Sequence, residues 1–258
     1  MTVDFGKTAH DYSKHRSGFP DEFFWELQSD GIGAPGQRVL DLATGTGTVA
    51  RGLALRGARV DAIDIAVPLM EQAAALDQSA GVKIRYLQAR AENLPYASEQ
   101  FDVVCAGQSW HWFDRAVAAE EAMRVLKPGG RLVIAHFDWL PIQGSVVAAT
   151  EALIQKHNPA WTMAGATGFY PAWCENLLLK GFMNLRTRSF DSAVSYSHER
   201  WRGRIRASAG VSASLSAEAV ENFDRELERV LSERFPADPQ NILHRVWILT
   251  CVKPYAAD

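Results

Sequence analysis

The sequence has few cysteines, no block of like charge and no long apolar run, and each shortage removes a class of function. Cys105, Cys174 and Cys251 are scattered over 258 residues. No Cys-x-x-Cys and no paired-histidine helix motif occurs, so neither a disulfide framework nor a metal set is expected, and a reducing compartment is the simpler setting. The formal net charge is -3, with no Lys/Arg cluster, which argues against a dedicated nucleic-acid surface. No apolar stretch reaches the ~20 residues that a membrane span needs. Met1 to Tyr12 carries Asp4, Lys7, His10 and Asp11 where a signal peptide would have an apolar core. The expectation is a cytoplasmic protein, monomeric or homodimeric, with a small-molecule partner and with neither nucleic acid nor membrane as one.

What is present is a regular alternation. Apolar runs at 38–42, 59–63, 84–89, 101–106 and 131–137 read as strands, and helical spacing fills 49–56, 68–75 and 115–126. Such alternation predicts an α/β fold with a parallel sheet covered by helices on both faces. A proline-acid start at Pro20 and Asp21 predicts a short helix before the first strand. Ser197 and Ser216 stand as N-cap candidates for two later helices, 197–209 and 216–235, with further helices at 146–157 and 171–179.

The most informative stretch runs Arg38-Val-Leu-Asp41-Leu-Ala43-Thr44-Gly45-Thr-Gly47-Thr48. Glycines at a strand-to-helix turn take positive φ and admit close approach of a ligand. A second apolar run ends in Asp64, about 20 residues beyond the first glycine, where a ribose-binding carboxylate is expected. The spacing Gly45-x-Gly47-x-x-Ala50 by itself leaves NAD, FAD and S-adenosylmethionine open. Asp41 tips the balance, because a carboxylate beside the turn repels a pyrophosphate and tolerates a cationic cofactor.

At these residues the chain resembles the class I S-adenosylmethionine-dependent methyltransferases, whose first motif reads (Asp/Glu)-x-Gly-x-Gly-x-Gly. Asp41, Gly45 and Gly47 match, and Ala43 replaces the first glycine with another small residue, although alanine takes positive φ with difficulty. The stretches Ala91-Glu92-Asn-Leu-Pro95, Phe101-Asp102-Val-Val and Leu126-Lys-Pro128-Gly129-Gly130 resemble later family segments in the same order. Over roughly the first 140 residues the chain is most similar to the methyltransferase type 11 group, related to ubiquinone and menaquinone biosynthesis enzymes. The resemblance implies a Rossmann-like doubly wound sheet, mostly parallel with an antiparallel last strand, plus helical lid insertions. It implies one methyltransferase domain over 1–258. Its parts would be an N-terminal arm and helix (1–35), a cofactor-binding core (36–140), lid segments (141–180 and 192–240) and closing strands (181–191 and 241–254).

The same resemblance implies S-adenosylmethionine as cofactor, S-adenosylhomocysteine as product, and a set of cofactor contacts. These are Tyr12 and Arg16 from the N-terminal segment, Asp41, Ala43, Thr44, Gly45 and Gly47 at the turn, Asp64 and Ile65 for ribose and adenine, Ala91 and Glu92 near adenine, and Gln108 after the fourth strand. Arg16 suits a carboxylate, since guanidinium binds it bidentately; its alternative is a solvated charge. Asp64 could instead cap the helix at Pro68, and Glu92 could be a solvated acid. The family often has an acid where this chain has Arg90.

Methyl transfer from a sulfonium needs alignment and exclusion of water more than it needs a conspicuous catalytic group. For a hydroxyl acceptor a base helps, and His111 in Gln108-Ser-Trp110-His111-Trp112-Phe113-Asp114 is the candidate. Its alternative is a buttress between packed tryptophans. The Asn/Asp-Pro-Pro-aromatic motif of nucleic-acid amino-methylating enzymes is absent there. His136, Asp138 and Trp139 rank as second-tier substrate contacts, and Arg202, Arg204 and Arg206 as surface arginines pairing with Glu199, Glu226 or Glu228. Two other functions stay open, an NAD(P)-linked oxidoreductase and a non-catalytic S-adenosylmethionine-binding protein.

Overall fold

The computed structural model describes residues 18–255. Tyr12 and Arg16 lie outside the described residues. A helix, α1 (Asp21–Ser29), starts after Pro20 with acids in its first turn and buries Phe23, Phe24 and Leu27. The alternation then follows as β1 (Arg38–Leu42), α2 (Thr48–Leu55), β2 (Arg59–Asp64), α3 (Val67–Ala80), β3 (Arg85–Gln88), β4 (Phe101–Gly107), α4 (Arg115–Val125) and β5 (Leu126–Trp139). After it come α5 (Val146–His157), α6 (Ala172–Leu179), β6 (Met183–Tyr196), α7 (His198–Arg206), α8 (Ala217–Arg234) and β7 (Gln240–Val252).

Seven strands form one sheet in the order β3-β2-β1-β4-β5-β7-β6. The five first strands pair in parallel, and β5-β7-β6 is antiparallel. Gly130 and Lys253 pair through their backbones at one end of β5 and β7, Leu140 and Leu243 at the other. The order reverses between β1 and β4, so the carboxyl ends of these two strands flank the crevice where ligands bind in open α/β sheets.

Several boundaries differ from the sequence expectation: α3 runs on to Ala80, and β6 runs on to Tyr196, past the expected end at 191 and into the segment expected as lid. The strand expected from Arg131 begins at Leu126, directly after α4. Lys127 to Gly130 are absorbed into it, with Gly129 at φ 76 and a register shift against β4 between Phe101 and Val103. A bulge of this kind accommodates the extra residues that a turn would otherwise take up.

Two compact units can be described separately. The sheet unit comprises Gly18–Phe137, Phe169–Phe190 and 246–255. Its core joins Leu40, Leu42, Ile63, Val104, Ile134 and Trp247, the continuous apolar burial expected of strands covered on both faces. The α6 helix belongs here, with Trp173 and Leu177 in that core. The helical unit comprises Asp138–Gly168 and Asp191–Arg245 and contains α5, α7 and α8. Ser145, Ser197 and Ser216 cap these helices through their hydroxyls, and Ile154, Trp201, Ile205, Phe223 and Leu227 share one core. Trp201 donates to the Thr150 hydroxyl at 3.0 Å. Arg202 and Arg206 pair with Asp224, the latter at 2.8 Å, and Arg202 also meets Glu228. Of the acids expected for these arginines, Glu228 is thus one partner of Arg202, and Asp224 on α8, which was not expected, is another. Arg204 lies over the Trp139 ring at 4.8 Å.

Candidate cofactor and acceptor site

Asp41 and Asp64 end neighbouring parallel strands and flank the glycine turn. Asp41 is 1% exposed. It accepts from the Thr44 hydroxyl at 2.6 Å, from the Cys105 thiol at 3.3 Å and from the backbone N–H of Ala50 in the first turn of α2. Its carboxylate therefore satisfies one of the orphan donors at a helix N-terminus. Burial pushes its pKa up to about 6, with Asp64 adding repulsion and the three donors working against the rise.

Asp64 accepts from Gly45 N–H through Oδ2 and from Ala66 N–H through Oδ1, both at 2.8 Å. Burial raises its pKa too, against these backbone donors. A carboxylate has about four lone-pair sites, and with the Ile65 N–H as a third backbone donor Asp64 keeps room for one more. The helix at Pro68 begins after Ala66 with no side-chain cap, so Asp64 is a turn-forming acid and not that helix's N-cap.

The turn itself is strained at one point. Ala43 takes φ 48 despite its Cβ, while Gly45 and Gly47 take φ 57 and 74. Left-handed backbone costs a non-glycine residue about 1–2 kcal/mol. Thr44 closes the turn, its N–H donating to the Ile63 carbonyl at 2.9 Å. Gly47 is required by the protein interior: a Cβ there would stand 2.7 Å from the Tyr86 hydroxyl.

Around this turn the other expected contacts differ in availability. Ile65 is 61% exposed beside Asp64, an open apolar surface. Ala91 is buried. Glu92 accepts from the backbone N–H of Asp114 at 3.0 Å and faces Arg90 at 3.4 Å, so it ties two loops together and is not simply solvated. Gln108, at φ 59, directs its amide nitrogen to the Phe137 carbonyl.

His111 lies on a single 3-10 turn, Trp110–Trp112, which Ser109 anchors by donating to the Leu42 carbonyl at 3.1 Å. Asp114 ends the segment as the N-cap of α4, accepting from Ala116 and Val117. The imidazole is 4.5 Å from the Trp112 ring and 5.2 Å from that of His136. His136 in turn lies 4.4 Å from Tyr170, which stacks on Trp173 at 4.2 Å. Of the second-tier contacts His136 thus joins His111, whereas Trp139 donates its indole N–H to Glu151 at 2.8 Å in the helical unit.

Sequence reasoning missed Cys105 as a partner of Asp41 and Tyr170 as a neighbour of His136. The first was within reach, because aligning the apolar runs as parallel strands brings Asp41 opposite Cys105. The second comes from a loop with no periodic signal. Among the described residues no group of three or more His, Cys, Asp or Glu side chains could hold a metal ion, and no helix is long and apolar enough to cross a membrane.

Comparison with known proteins covers this same region. Residues 40–134 match the family model described as a methyltransferase domain. An uncharacterised methyltransferase of Mycobacterium tuberculosis is 37% identical over 183 residues, 63% of this chain and 71% of that protein. Demethylmenaquinone methyltransferase of Thermobifida fusca is 41% identical over 112 residues, 42% of this chain and 47% of that one. Among solved structures, phosphoethanolamine N-methyltransferase 2 of Haemonchus contortus with bound S-adenosyl-L-methionine aligns with a TM-score of 0.58 at 19% identity, over 96% of this chain and 57% of that one. The [4+2]-cyclase SpnF aligns at 0.56 and 21%, over 94% and 84%. These structural likenesses speak to the fold alone.

Proposed function

The chain belongs to the class I S-adenosylmethionine-dependent methyltransferases, and we propose that it binds S-adenosylmethionine at the β1–β4 crevice and passes the methyl group to a small-molecule acceptor. One observation carries the choice of cofactor. Pyrophosphates of dinucleotides dock on free N–H groups at a helix N-terminus, and here the Asp41 carboxylate occupies Ala50 N–H in the first turn of α2. With Asp64 close enough to repel Asp41, the turn disfavours an anion and favours a cation. An NAD(P)-linked reaction is correspondingly disfavoured.

When bound, S-adenosylmethionine supplies an electrophilic methyl group on a sulfonium. Asp64 accepts from the ribose on the lone-pair room that Gly45, Ile65 and Ala66 leave. Ile65 packs on adenine, with Glu92 and the backbone of Ala91 at its edge. Asp41 with Thr44 fixes the turn and offsets the cofactor's positive charge, and Gln108 stands at the methionine end. Tyr12 and Arg16, outside the described residues, are assigned to the amino acid portion by the family resemblance alone. His111 takes the proton of a hydroxyl acceptor, and the Trp112–His136–Tyr170 surface excludes water from it.

The test is incubation with methyl-labelled S-adenosylmethionine and fractionated cell extract. Label in the small-molecule fraction is the expected result. Label confined to nucleic acid, or none despite bound cofactor, contradicts it; the latter would make the chain a non-catalytic binder.

A further inference from the structure

Beneath the glycine turn lies a buried charged network with no part in the contacts assigned above. Asp77 on α3 has a side chain 5% exposed and Arg51 on α2 one 15% exposed, joined at 2.8 Å through Nε and Oδ1. The other carboxylate oxygen accepts from the Tyr86 hydroxyl of β3 at 2.7 Å. Arg51 also donates through Nη2 to the Thr46 carbonyl at 2.7 Å and to the Ala73 carbonyl at 3.3 Å. Thr46 is the residue between the two glycines of the turn.

Burying an ion pair this far is no general route to stability, since desolvation offsets most of the attraction. What such a pair secures is geometry, and here the geometry secured is that of one peptide. The Thr46 carbonyl is held by Arg51, and the α-carbon of Gly47 rests where an added Cβ would meet Tyr86 Oη at 2.7 Å, Ala73 Cβ at 3.2 Å and Arg51 Nη2 at 3.2 Å. Gly45, two residues before Gly47, donates to Asp64. The network thus supports the turn from below while its upper side carries the amide bonded to the proposed ribose acid.

We infer that Arg51, Asp77 and Tyr86 are positioning residues for cofactor binding, setting the Gly45–Gly47 backbone at the height from which it and Asp64 meet the nucleoside. The inference rests on the cofactor reading given above. A site must be held within about 0.5 Å of its productive geometry to work, and an unsupported Thr46 carbonyl leaves the turn free to shift by more.

Two mild variants test this without dismantling the fold. Tyr86→Phe removes one donor to Asp77, and Arg51→Lys keeps the charge but cannot reach Asp77, Thr46 and Ala73 together. Amide hydrogen exchange of Gly45 and Gly47 in the ligand-free protein is expected to accelerate in both. The dissociation constant for S-adenosylhomocysteine, measured well below each variant's melting temperature, is expected to rise about fivefold in Tyr86→Phe, the worth of one net hydrogen bond, and further in Arg51→Lys. A lower melting temperature with unchanged exchange at the turn and unchanged affinity would overturn the inference and leave the network as ordinary scaffold. Wild-type protein that failed to bind S-adenosylhomocysteine would sink the cofactor reading instead, with the exchange comparison still deciding whether the network holds the turn.

Discussion

Cys105 and Asp41 are register partners on adjacent parallel strands, and the thiol donates to the carboxylate at 3.3 Å. Burial, then the charge of Asp41, push the Cys105 pKa well above its usual value, so the thiol remains a donor. Burial lifts Asp41 from 3.8 to about 6. Between those values the native protein holds a proton that the unfolded chain has released. Asp41 therefore subtracts stability as pH rises through the window, and the loss is complete above pH about 6.

Asp41→Asn should then stabilise the ligand-free protein at pH 7.5, by at most about 3 kcal/mol, and have little effect near pH 4. Its affinity for a sulfonium ligand should fall. Denaturant unfolding of wild type and variant at both pH values checks the first point. Equal stability differences at the two pH values would refute the raised pKa of the buried Asp41.

Ala43 stands where the motif that the chain resembles has its first glycine, and it bears left-handed backbone at φ 48. Ala43→Gly relieves about 1–2 kcal/mol of strain and gives back roughly 0.4–1 kcal/mol through the freer unfolded chain. A small net gain, a melting temperature raised by a degree or two, is expected where most glycine substitutions destabilise.

Gly47→Ala tests the opposite side of the turn. The new methyl group would meet Tyr86 Oη at 2.7 Å at a φ of 74, so unfolding in denaturant should show a loss of about 2 kcal/mol or more. A variant as stable as wild type would show that Tyr86 moves aside freely.

Asp64→Asn keeps volume and one acceptor oxygen but loses the charge. Hydrogen bonds to charged groups are worth about 1.5–3 kcal/mol, so the dissociation constant for S-adenosylhomocysteine should rise about 10- to 100-fold, read by calorimetry. Unchanged affinity removes Asp64 from the ribose.

His111→Ala should lower turnover by about 10²-fold or more if the imidazole takes the acceptor's proton, with cofactor affinity within about twofold of wild type. Parallel loss of thermal stability with turnover of the folded enzyme preserved would make His111 a buttress of the Trp110–Trp112 turn.

The parallel half of the sheet was legible because strands buried on both faces read as apolar runs, unbroken from Val103 to Ala106 and interrupted only by Asp41 between Val39 and Leu42. Helix starts were legible at Ser197 and Ser216, whose hydroxyls leave a local signature. Leu126 was not: a Lys-Pro-Gly-Gly sequence signals a turn, and only pairing with β4 and β7 draws it into a strand. Acids at strand ends marked Asp41 and Asp64 through spacing alone. Their supports were hidden, since Cys105 lies 64 residues from Asp41 and Asp77 26 residues from Arg51, and contacts at such separations are set by the packed fold. Glu92 was legible as a motif position, whereas its bonds to the Asp114 amide and to Arg90 were not, because the packing of the loops sets them.

The central claim is that Asp41 at the α2 N-terminus selects a cationic nucleoside cofactor over a dinucleotide. Calorimetric titration of the purified protein with S-adenosylhomocysteine, and in parallel with NAD(H) and NADP(H), tests it most directly. The account predicts micromolar binding of S-adenosylhomocysteine and none of either nicotinamide cofactor. Preferential binding of a nicotinamide dinucleotide would contradict it and would return the glycine turn to the oxidoreductases.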